Sequence, residues 1–135
     1  MKKIIFVCTG NTCRSPMAEG YLKSKNRKDL EVISRGLAAD GSAVSEKSVI
    51  AMQEFGIDIS AHLSKQLTFA DLSESAIFIC MSSSHADVLE GIGIDKMKIH
   101  VLGISDPYGR DEETYKKCRD EIIEGVDELC EDGII

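Results

Sequence analysis

The sequence predicts an α/β fold, a three-layer sandwich in which helices cover both faces of a four-stranded parallel sheet. Four short apolar runs read as continuous stretches rather than strict alternations, as strands covered on both faces do. Helical patterns separate these runs, and such alternation favours a parallel sheet of flavodoxin-like or Rossmann-like topology. No repeat, low-complexity segment or Pro/Gly-rich linker interrupts the chain, so we expect a single domain over residues 1–135.

The predicted strands are short and rich in Ile, Val and Phe. The first run, KIIFVC, follows basic residues as the core of a signal peptide would, but it stops after Cys8, which is too short for secretion. We therefore interpret it as the first strand of a cytoplasmic protein. The four strands are predicted at residues 3–8 (KIIFVC), 30–34 (LEVIS), 76–81 (AIFICM) and 98–102 (KIHVL).

Three segments show apolar residues at the spacing of amphipathic helices. The pattern PMAEGYLKSKNR predicts a buried face made of Met17, Ala18, Tyr21 and Leu22. The pattern SEKSVIAMQEFG ends at Gly56, which suits the position after a helix, and predicts a face made of Val49, Met52 and Phe55. A closing helix from Glu112 to Cys130 is predicted to bury Tyr115, Cys118, Ile122, Val126 and Leu129.

Charge and cysteine content argue against several classes of protein. The formal net charge is -7 and no Lys/Arg cluster appears, so neither nucleic acid nor an anionic membrane is an expected partner. No apolar run approaches the ~18 residues that span a membrane. The five cysteines are odd in number and loosely spaced, which suits a reducing compartment. Only Cys8 and Cys13 are close in sequence, so we expect no metal site.

The stretch VCTGNTCRSP, residues 7–16, joins the first strand to the first helix. Ser15 is predicted as the helix N-cap and Pro16 as the first helical residue. Inward N–H groups at a helix N-terminus form a cradle for an anion, and Gly10 permits the backbone angles that a cradle needs. Arg14 adds a fork of donors that can hold two phosphate oxygens. Ligands of such folds bind at this edge of the sheet.

The same loop favours Cys8 as a nucleophile, because thiols at helix N-termini or beside cations ionise more readily than free thiols. Attack on a phosphate would give a phosphocysteine, with Arg14 and the loop N–H groups holding the equatorial oxygens. Asp106, in SDPYG after the fourth strand, is the candidate proton donor for the leaving group. Alone, Cys8 would be read as a core thiol and Asp106-Pro107 as a turn; their combination favours catalysis.

These residues resemble the low-molecular-weight protein tyrosine phosphatases over nearly the full chain. The most specific parts are VCTGNTCRSPMAE, which matches the C-x₅-R-S loop of that family, and DPYG. The resemblance implies a cysteine-dependent protein phosphatase that acts on phosphorylated protein side chains and needs no cofactor. It implies Cys8 as nucleophile, Arg14 as phosphate binder, and Asp106 as general acid and then base. Substrate and phosphate would also contact Thr9, Gly10, Asn11, Thr12, Cys13, Ser15 and Tyr108.

The resemblance also implies supporting roles. Ser15 would stabilise the thiolate, and Asn11 with His62 would brace the loop. Cys13 matches a second loop thiol that can bond Cys8 under oxidation, although a passive packed thiol is an equal alternative. Arg35 has no assigned role and is expected to be a solvated surface charge. We expect a monomer.

Several departures from the family pattern concern the substrate. The loop GLAADGSAVS has no aromatic residue and Gly109 follows Tyr108, so the pocket would have at most one aromatic wall. Thr12 is polar where many tyrosine phosphatases of the family have an aliphatic residue. TGNTCRS, MSSSH and DPYG look closer to the bacterial protein-arginine-phosphatase branch. Phosphoarginine is therefore at least as good a candidate substrate as phosphotyrosine.

Two other functions are weaker alternatives. Thioredoxin-coupled arsenate reductases share this fold and loop, but they need further cysteines, and Asp87 stands where a relay thiol beyond Cys80 would be required. A flavin-binding electron carrier would suit TGNT and the acidic charge. Such a carrier normally stacks aromatics on the flavin, and this chain has no Trp and only 5% aromatic residues.

Overall fold

Four strands and four α-helices alternate along the chain in the computed structural model, which describes residues 1–135. Two short 3₁₀ turns lie at Phe69–Asp71 and Lys96–Lys98. The main elements are β1 (Lys2–Cys8), α1 (Arg14–Ser24), β2 (Leu30–Gly36), α2 (Glu46–Gln53), β3 (Ala76–Cys80), α3 (Ser83–Gly91), β4 (Ile99–Val101) and α4 (Glu112–Glu131). All four predicted strands are present, with ends within two residues of the prediction.

The strands form one parallel sheet in the order β2-β1-β3-β4, which confirms the predicted fold class. The order reverses at β1, whose neighbours on either side are β2 and β3. At the carboxyl end of β1, Cys8 pairs with Gly36 of β2, and Val7 pairs with Cys80 of β3. Sheets of this kind bind ligands beyond the strand ends at the reversal point. Cys8 occupies that position.

The two faces of the sheet are covered by different helices. Alternate residues of β1 point to opposite faces, as the two-residue period of a strand requires. Ile4, Phe6 and Cys8 belong to a large core cluster that includes residues of α1, α2 and α4. Ile5 and Val7 belong to a smaller cluster that includes Ala86 and Leu89 of α3. The chain therefore has the three predicted layers.

The start of α1 differs from the prediction. The helix begins at Arg14 with Cys13 at the N-cap position, so Ser15 and Pro16 both lie inside the first turn. Ser15 caps no backbone group; its hydroxyl contacts the Cys8 sulfur instead. Pro16 is tolerated there because the first helical N–H groups have no intrahelical partner. The buried face is largely as expected, with Met17, Ala18 and Leu22 inaccessible and Tyr21 half-buried.

The second predicted helix is shorter than expected, because α2 ends at Gln53 rather than next to Gly56. Gly56 does adopt a left-handed conformation with φ 71° and donates its N–H to the Gln53 carbonyl. Phe55, predicted to be buried, is 52% exposed and lies against the Arg119 guanidinium of α4 at 4.3 Å. Phe55 therefore makes a cation–π contact at the surface, whereas Ala51 and Met52 of α2 are buried in the core.

Helix α3, with the sequence SSHADVLEG, was not predicted. Only Ala86 and Leu89 bury apolar side chains there, and the third buried residue is His85. The closing helix α4 matches its prediction: Tyr115, Cys118, Ile122 and Val126 are buried and Leu129 is partly buried. None of the helices combines the length and apolar character needed to cross a membrane.

Arg35 is not the solvated surface charge that was expected. Its Nε donates to Asp71 Oδ2 at 3.1 Å, and both side chains are largely buried. Asp71 also accepts from the Thr68 backbone N–H at 3.1 Å. The ion pair therefore attaches the 3₁₀ turn to the edge strand β2.

Candidate active site

The loop between β1 and α1 encloses a pocket of about 200 Å³. Every residue from Cys8 to Arg14 lines it, together with Asp106 and Tyr108 from the segment that follows β4. Backbone hydrogen bonds hold the start of this loop against the segment after β2: Leu37 donates to Cys8 at 3.0 Å and Ala38 to Thr9 at 2.9 Å. The fold thus brings together two parts of the chain that the sequence predicted to act jointly.

Two hydrogen-bond donors surround the sulfur of Cys8, which is 3% exposed. The backbone N–H of Asn11 lies 3.2 Å from Sγ, and Ser15 Oγ lies 2.8 Å from it. Asn11 Nδ2 also donates to Ser15 Oγ at 2.8 Å, so the serine's own hydrogen remains for the sulfur. Both groups can donate to the sulfur, so they are placed to stabilise negative charge there during nucleophilic attack.

Asn11 organises the loop although none of its surface is exposed. Its Nδ2 makes a second bond to Ser34 Oγ at 2.9 Å, and its Oδ1 accepts from the Lys65 backbone N–H at 2.8 Å. Its φ of 56° lies in the left-handed region, which asparagine tolerates better than most residues. Its side-chain bonds therefore fix the one conformation in which its own N–H reaches the Cys8 sulfur.

His62 contacts the loop where the resemblance implied a brace. Its Nε2 lies 3.1 Å from the Asn11 carbonyl oxygen and 3.2 Å from Asn11 Oδ1. Both partners are acceptors, so the ring nitrogen is the donor. The segment from His62 to Lys65 therefore holds Asn11 from the side opposite to Ser15.

Arg14 and Asp106 are neighbours in the lining of the pocket. Arg14 Nη1 donates to the Ile104 carbonyl at 2.8 Å, which fixes a guanidinium that is only 7% exposed. Its Nη2 lies 3.9 Å from Asp106 Oδ2. Asp106 accepts from the Tyr108 N–H at 3.0 Å and its side chain is 54% exposed, so it can reach a group entering from solvent.

A wider groove of about 670 Å³ adjoins the pocket and shares Gly10, Thr12 and Tyr108 with it. Tyr108 is 77% exposed and forms one wall. Ala38 lies in the same lining and offers no second aromatic wall. Tyr115 also lines the groove but is 3% exposed. The expectation of a pocket with one accessible aromatic wall thus matches the geometry.

The charged residues of the groove are mostly acidic. Asp40 and Glu46 line it, and hydrogen bonds from Ser42 lower the pKa of Asp40, which keeps that carboxylate charged. The one lysine, Lys47, already has partners: its Nζ donates to the Arg110 carbonyl and lies 5.9 Å from the centre of the Tyr115 ring. The groove therefore favours a cationic group over an anionic one.

The remaining thiols differ from Cys8 in their surroundings, and all five cysteines are free. Cys13 Sγ lies 3.5 Å from the Tyr115 hydroxyl, and burial together with this contact raises the pKa of Tyr115 to about 12. Burial raises the pKa of Cys80 and of Cys118 to about 12. Cys80 and Cys118 are therefore protonated at neutral pH. No group of three or more His, Cys, Asp or Glu side chains is placed to hold a metal ion.

Three residues that take part in the hydrogen bonds around the loop were not predicted from the sequence: Ser34, Glu19 and His85. Ser34 accepts from Asn11 and donates to Glu19 Oε1 at 2.6 Å. His85 places Nε2 2.9 Å from Thr9 Oγ1. A polar residue within an apolar strand is a usable signal for Ser34, and Glu19 lies in the quoted motif. His85 is the last residue of the motif MSSSH, but nothing in that motif indicates that its side chain contacts Thr9.

Comparison with known proteins gives consistent matches over the whole chain. The family described as "Low molecular weight phosphotyrosine protein phosphatase" matches residues 3–132. A "Protein-arginine-phosphatase" of Geobacillus stearothermophilus is 38% identical, covering 96% of this chain and 94% of its own. An "Arsenate reductase" of Halalkalibacterium halodurans is 36% identical, covering 98% of this chain and 97% of its own. The crystal structure of a low-molecular-weight protein tyrosine phosphatase from T. tengcongensis has TM-score 0.89 and 37% identity, covering 98% of this chain and 99% of that one.

Proposed function

The chain belongs to the low-molecular-weight phosphotyrosine protein phosphatase family, and from that premise we propose that it removes phosphate from phosphoarginine in proteins through Cys8. It is a protein phosphatase, and phosphorylated proteins are its substrates. The observation that supports the role of Cys8 is its sulfur, which receives two hydrogen bonds at the base of a pocket lined by Arg14 and Asp106.

In the first step the Cys8 thiolate attacks the phosphorus. The S–P bond forms as the N–P bond of phosphoarginine breaks, and Asp106, which enters this step in its protonated form, gives its proton to the departing guanidine nitrogen. Arg14 and the loop N–H groups hold the equatorial oxygens of the transferring group. The ordering of Arg14 by the Ile104 carbonyl keeps these donors in place before substrate arrives.

The second step hydrolyses the phosphocysteine. Asp106, now a carboxylate, takes a proton from water as the water oxygen attacks phosphorus and the S–P bond breaks. The products are inorganic phosphate and the Cys8 thiolate, which recovers its hydrogen bonds from Asn11 and Ser15. No electron is transferred and no cofactor takes part in this scheme.

Thr12 supports phosphoarginine rather than phosphotyrosine as the substrate. It lines both the catalytic pocket and the adjoining groove, so it lies next to the atoms that connect phosphate to the rest of the substrate. A guanidine next to the phosphorus has N–H groups that can donate hydrogen bonds to the Thr12 hydroxyl oxygen, whereas a phenyl ring has no such donor.

The residues that line the groove also favour phosphoarginine. A phenyl ring gains most when aromatic groups face it on both sides, and Tyr108 is the only accessible one here. Asp40 and Glu46 attract a guanidinium and offer nothing specific to a phenol. The similarity to a relative named protein-arginine-phosphatase agrees with this assignment.

Arsenate reduction is a weaker candidate despite the relatives that carry that name. A reductase must pass a disulfide from the nucleophile outward to its reductant. Cys80 is fully buried in β3, where burial raises its pKa to about 12, and α3 carries the exposed Asp87 in place of a thiol. These positions offer no thiol relay toward the surface.

The test uses two peptides of one sequence that differ only in carrying phosphoarginine or phosphotyrosine, with phosphate release measured at neutral pH. Cys8→Ser is the blank. We expect Cys8-dependent release that favours the phosphoarginine peptide. A preference for the phosphotyrosine peptide would contradict the substrate assignment, and no Cys8-dependent release from either would contradict the catalytic one.

Two variants isolate the contribution of Thr12. Thr12→Val keeps the shape and removes the hydroxyl, whereas Thr12→Ser keeps the hydroxyl and removes the methyl. Losing a hydrogen bond to substrate lowers the phosphoarginine-to-phosphotyrosine ratio by about five- to tenfold in Thr12→Val and much less in Thr12→Ser. Equal phosphoarginine-to-phosphotyrosine ratios in both variants would show that the hydroxyl does not contribute to substrate preference.

The proposal includes a monomer in the cytoplasm that binds neither nucleic acid nor a membrane surface. Five free cysteines, one of them the proposed nucleophile, support a reducing compartment. The net charge of -7 supports the absence of a polyanionic partner. Light scattering on the purified chain measures its mass in solution, where a value of 14.8 kDa is expected.

A further inference from the structure

His85 reaches the phosphate loop from the opposite side of the sheet to Asn11 and Ser15. It lies in the first turn of α3, and its neighbours Ala86 and Leu89 pack in the smaller core cluster. The ring is 4% exposed and places Nε2 2.9 Å from Thr9 Oγ1. Thr9 is the residue directly after Cys8, so this contact lies at the start of the loop.

The partners of the other ring nitrogen determine the tautomer. The Ser82 backbone N–H lies 3.2 Å from His85 Nδ1, and a backbone N–H can only donate. Nδ1 is therefore the acceptor and carries no hydrogen. The hydrogen of the neutral ring is on Nε2, which donates it to the Thr9 hydroxyl oxygen.

Thr9 is consequently held at two points. Its carbonyl accepts from the Ala38 N–H at 2.9 Å, which attaches it to the segment after β2. Its side chain accepts from His85, which attaches it to α3. Without the second contact, the residue between the nucleophile and Gly10 would be tied only through its backbone.

We propose that His85 is a positioning residue that orients the start of the phosphate loop through its Nε2–H bond to Thr9. It does not touch the reacting atoms. By fixing Thr9, it keeps the following N–H groups aimed at the phosphate, so it acts on anion binding and on the rate of phosphoryl transfer. This inference rests on the proposed function of the loop.

The charges around His85 support a neutral ring. Burial and the Arg14 guanidinium lower the pKa of His85, and the Asp106 carboxylate opposes them. A protonated ring would turn Nδ1 into a donor facing the Ser82 N–H, with Ser82 Oγ at 3.0 Å as the one group there able to accept, and would place a second positive charge near Arg14. The neutral tautomer is the one that satisfies both neighbours.

Two substitutions at this position separate the two contacts. Asparagine places an amide oxygen where Nδ1 accepts from Ser82, but it cannot reach Thr9. Glutamine places an amide nitrogen where Nε2 donates to Thr9, but it leaves Ser82 without its acceptor. If His85 only closes the turn of α3, His85→Asn is the milder change; if it positions Thr9, His85→Gln is the milder one for catalysis.

The experiment measures hydrolysis of para-nitrophenyl phosphate, binding of inorganic phosphate by calorimetry, and the melting temperature of each variant. We expect His85→Asn to lower kcat/KM about tenfold and to weaken phosphate binding about fivefold, the effect of one lost hydrogen bond. We expect His85→Gln to stay within about threefold of the parent rate even where its melting temperature falls, since its donor to Thr9 remains. Full activity in His85→Asn, or equal losses in both variants, would overturn the proposal.

Thr9→Val and Thr9→Ser test the same contact from its other end, so the proposal stays testable if a His85 variant does not fold. Thr9→Val removes the acceptor and is expected to reproduce the loss in His85→Asn, whereas Thr9→Ser keeps it. In the Thr9→Val background, His85→Asn should cause no further loss. Additive losses would overturn the coupling.

Phosphate binding separates this proposal from the proposed function. A parent protein that binds phosphate but releases none from either phosphopeptide contradicts the function, and the His85 variants still report on loop geometry through phosphate affinity. A parent that is active while phosphate affinity and kcat/KM are unchanged in His85→Asn contradicts only the role of His85.

Discussion

Asn11 Nδ2 donates to Ser15 Oγ at 2.8 Å, and this bond leaves the serine hydrogen free to be donated to another acceptor. An oxygen that accepts from an amide must direct its own O–H elsewhere, and the nearest acceptor is the Cys8 sulfur at 2.8 Å. The loop can therefore supply the Cys8 sulfur with a hydroxyl donor in addition to a backbone N–H. Asn11 influences Cys8 twice, through its backbone N–H and through Ser15.

Ser15→Ala should reduce both the reactivity of Cys8 and turnover. A hydrogen bond to a charged group contributes about 1.5 to 3 kcal/mol, so we expect kcat to fall about ten- to a hundredfold. The measurement is the rate of iodoacetamide alkylation at Cys8, followed by mass spectrometry of the Cys8 peptide, alongside kcat. An alkylation rate equal to that of the parent would contradict a donated bond from Ser15. The melting temperature serves as the folding control.

Gly36→Ala should disturb the loop through a direct clash. A Cβ at Gly36 would lie 2.7 Å from the Thr9 carbonyl oxygen and 3.1 Å from Asn11 Cβ, so the loop must move. Overpacking of this kind costs about 1 to 3 kcal/mol of unfolding free energy, and displacing a reacting group lowers kcat/KM by about a hundredfold. Urea denaturation and steady-state kinetics give the two values.

Gly91→Ala is the matched control, because a Cβ there meets nothing within 4 Å. It lies at the end of α3, where alanine is the better helix former, so stability should rise by about 0.4 to 1 kcal/mol with unchanged kinetics. Equal kinetic losses in the two glycine variants would show that the Gly36 clash does not act through the loop.

Ala38→Phe should improve the fit of an aryl phosphate. Ala38 is exposed and lines the groove, in which Tyr108 is the one accessible aromatic residue. A second ring contributes about 0.5 to 1.5 kcal/mol to an aromatic substrate, which raises kcat/KM for the phosphotyrosine peptide by about two- to tenfold. The phosphoarginine peptide is the internal control and should gain less. An equal gain for both peptides would contradict a specific contact with the phenyl ring.

The stability of the protein should depend on pH through His85. In the unfolded chain a histidine titrates near ~6.5, and burial and Arg14 lower the pKa of His85 in the folded state. At pH values between the pKa of the folded state and that of the unfolded state, the unfolded chain binds more protons. The contribution of the neutral ring to the free energy of unfolding is therefore complete above about pH 6.5 and declines as the pH falls. His85→Gln removes this titration. The urea midpoint should therefore decrease less between neutral and acidic pH in the variant than in the parent. Equal decreases in the two proteins would contradict this role of His85.

The sheet and three of the four helices were predicted from the apolar residues of their sequences, and the amphipathic pattern is clearest in α4. The start of α1 was not, since Ser15 and Pro16 form a common helix start and only tertiary contacts show that Ser15 faces Cys8. Helix α3 was missed, and only two apolar residues, Ala86 and Leu89, are buried in it. Phe55 fits a helical stripe, yet the cation–π contact with Arg119 is available only once α4 has packed.

Some residues of the candidate site could be predicted from the sequence and others could not. Cys8, Arg14 and Asp106 are visible from chemistry, spacing and resemblance, and the fold brings them to one pocket. His85 and Ser34 act across long distances in sequence, where no spacing rule applies. Groups that surround the loop are positioned by packing of separate elements, which a single sequence does not encode locally.

The side chain of Asn11 has a consequence for transplanting this chemistry. Its partners come from α1, from β2 and from the segment containing His62 and Lys65. A peptide of the loop sequence, or the same loop grafted onto another βα turn, would carry the thiol and the guanidinium without those partners. Such a graft is expected to bind phosphate weakly and to lack a reactive thiolate, so the smallest portable unit of this chemistry is the folded chain rather than its signature.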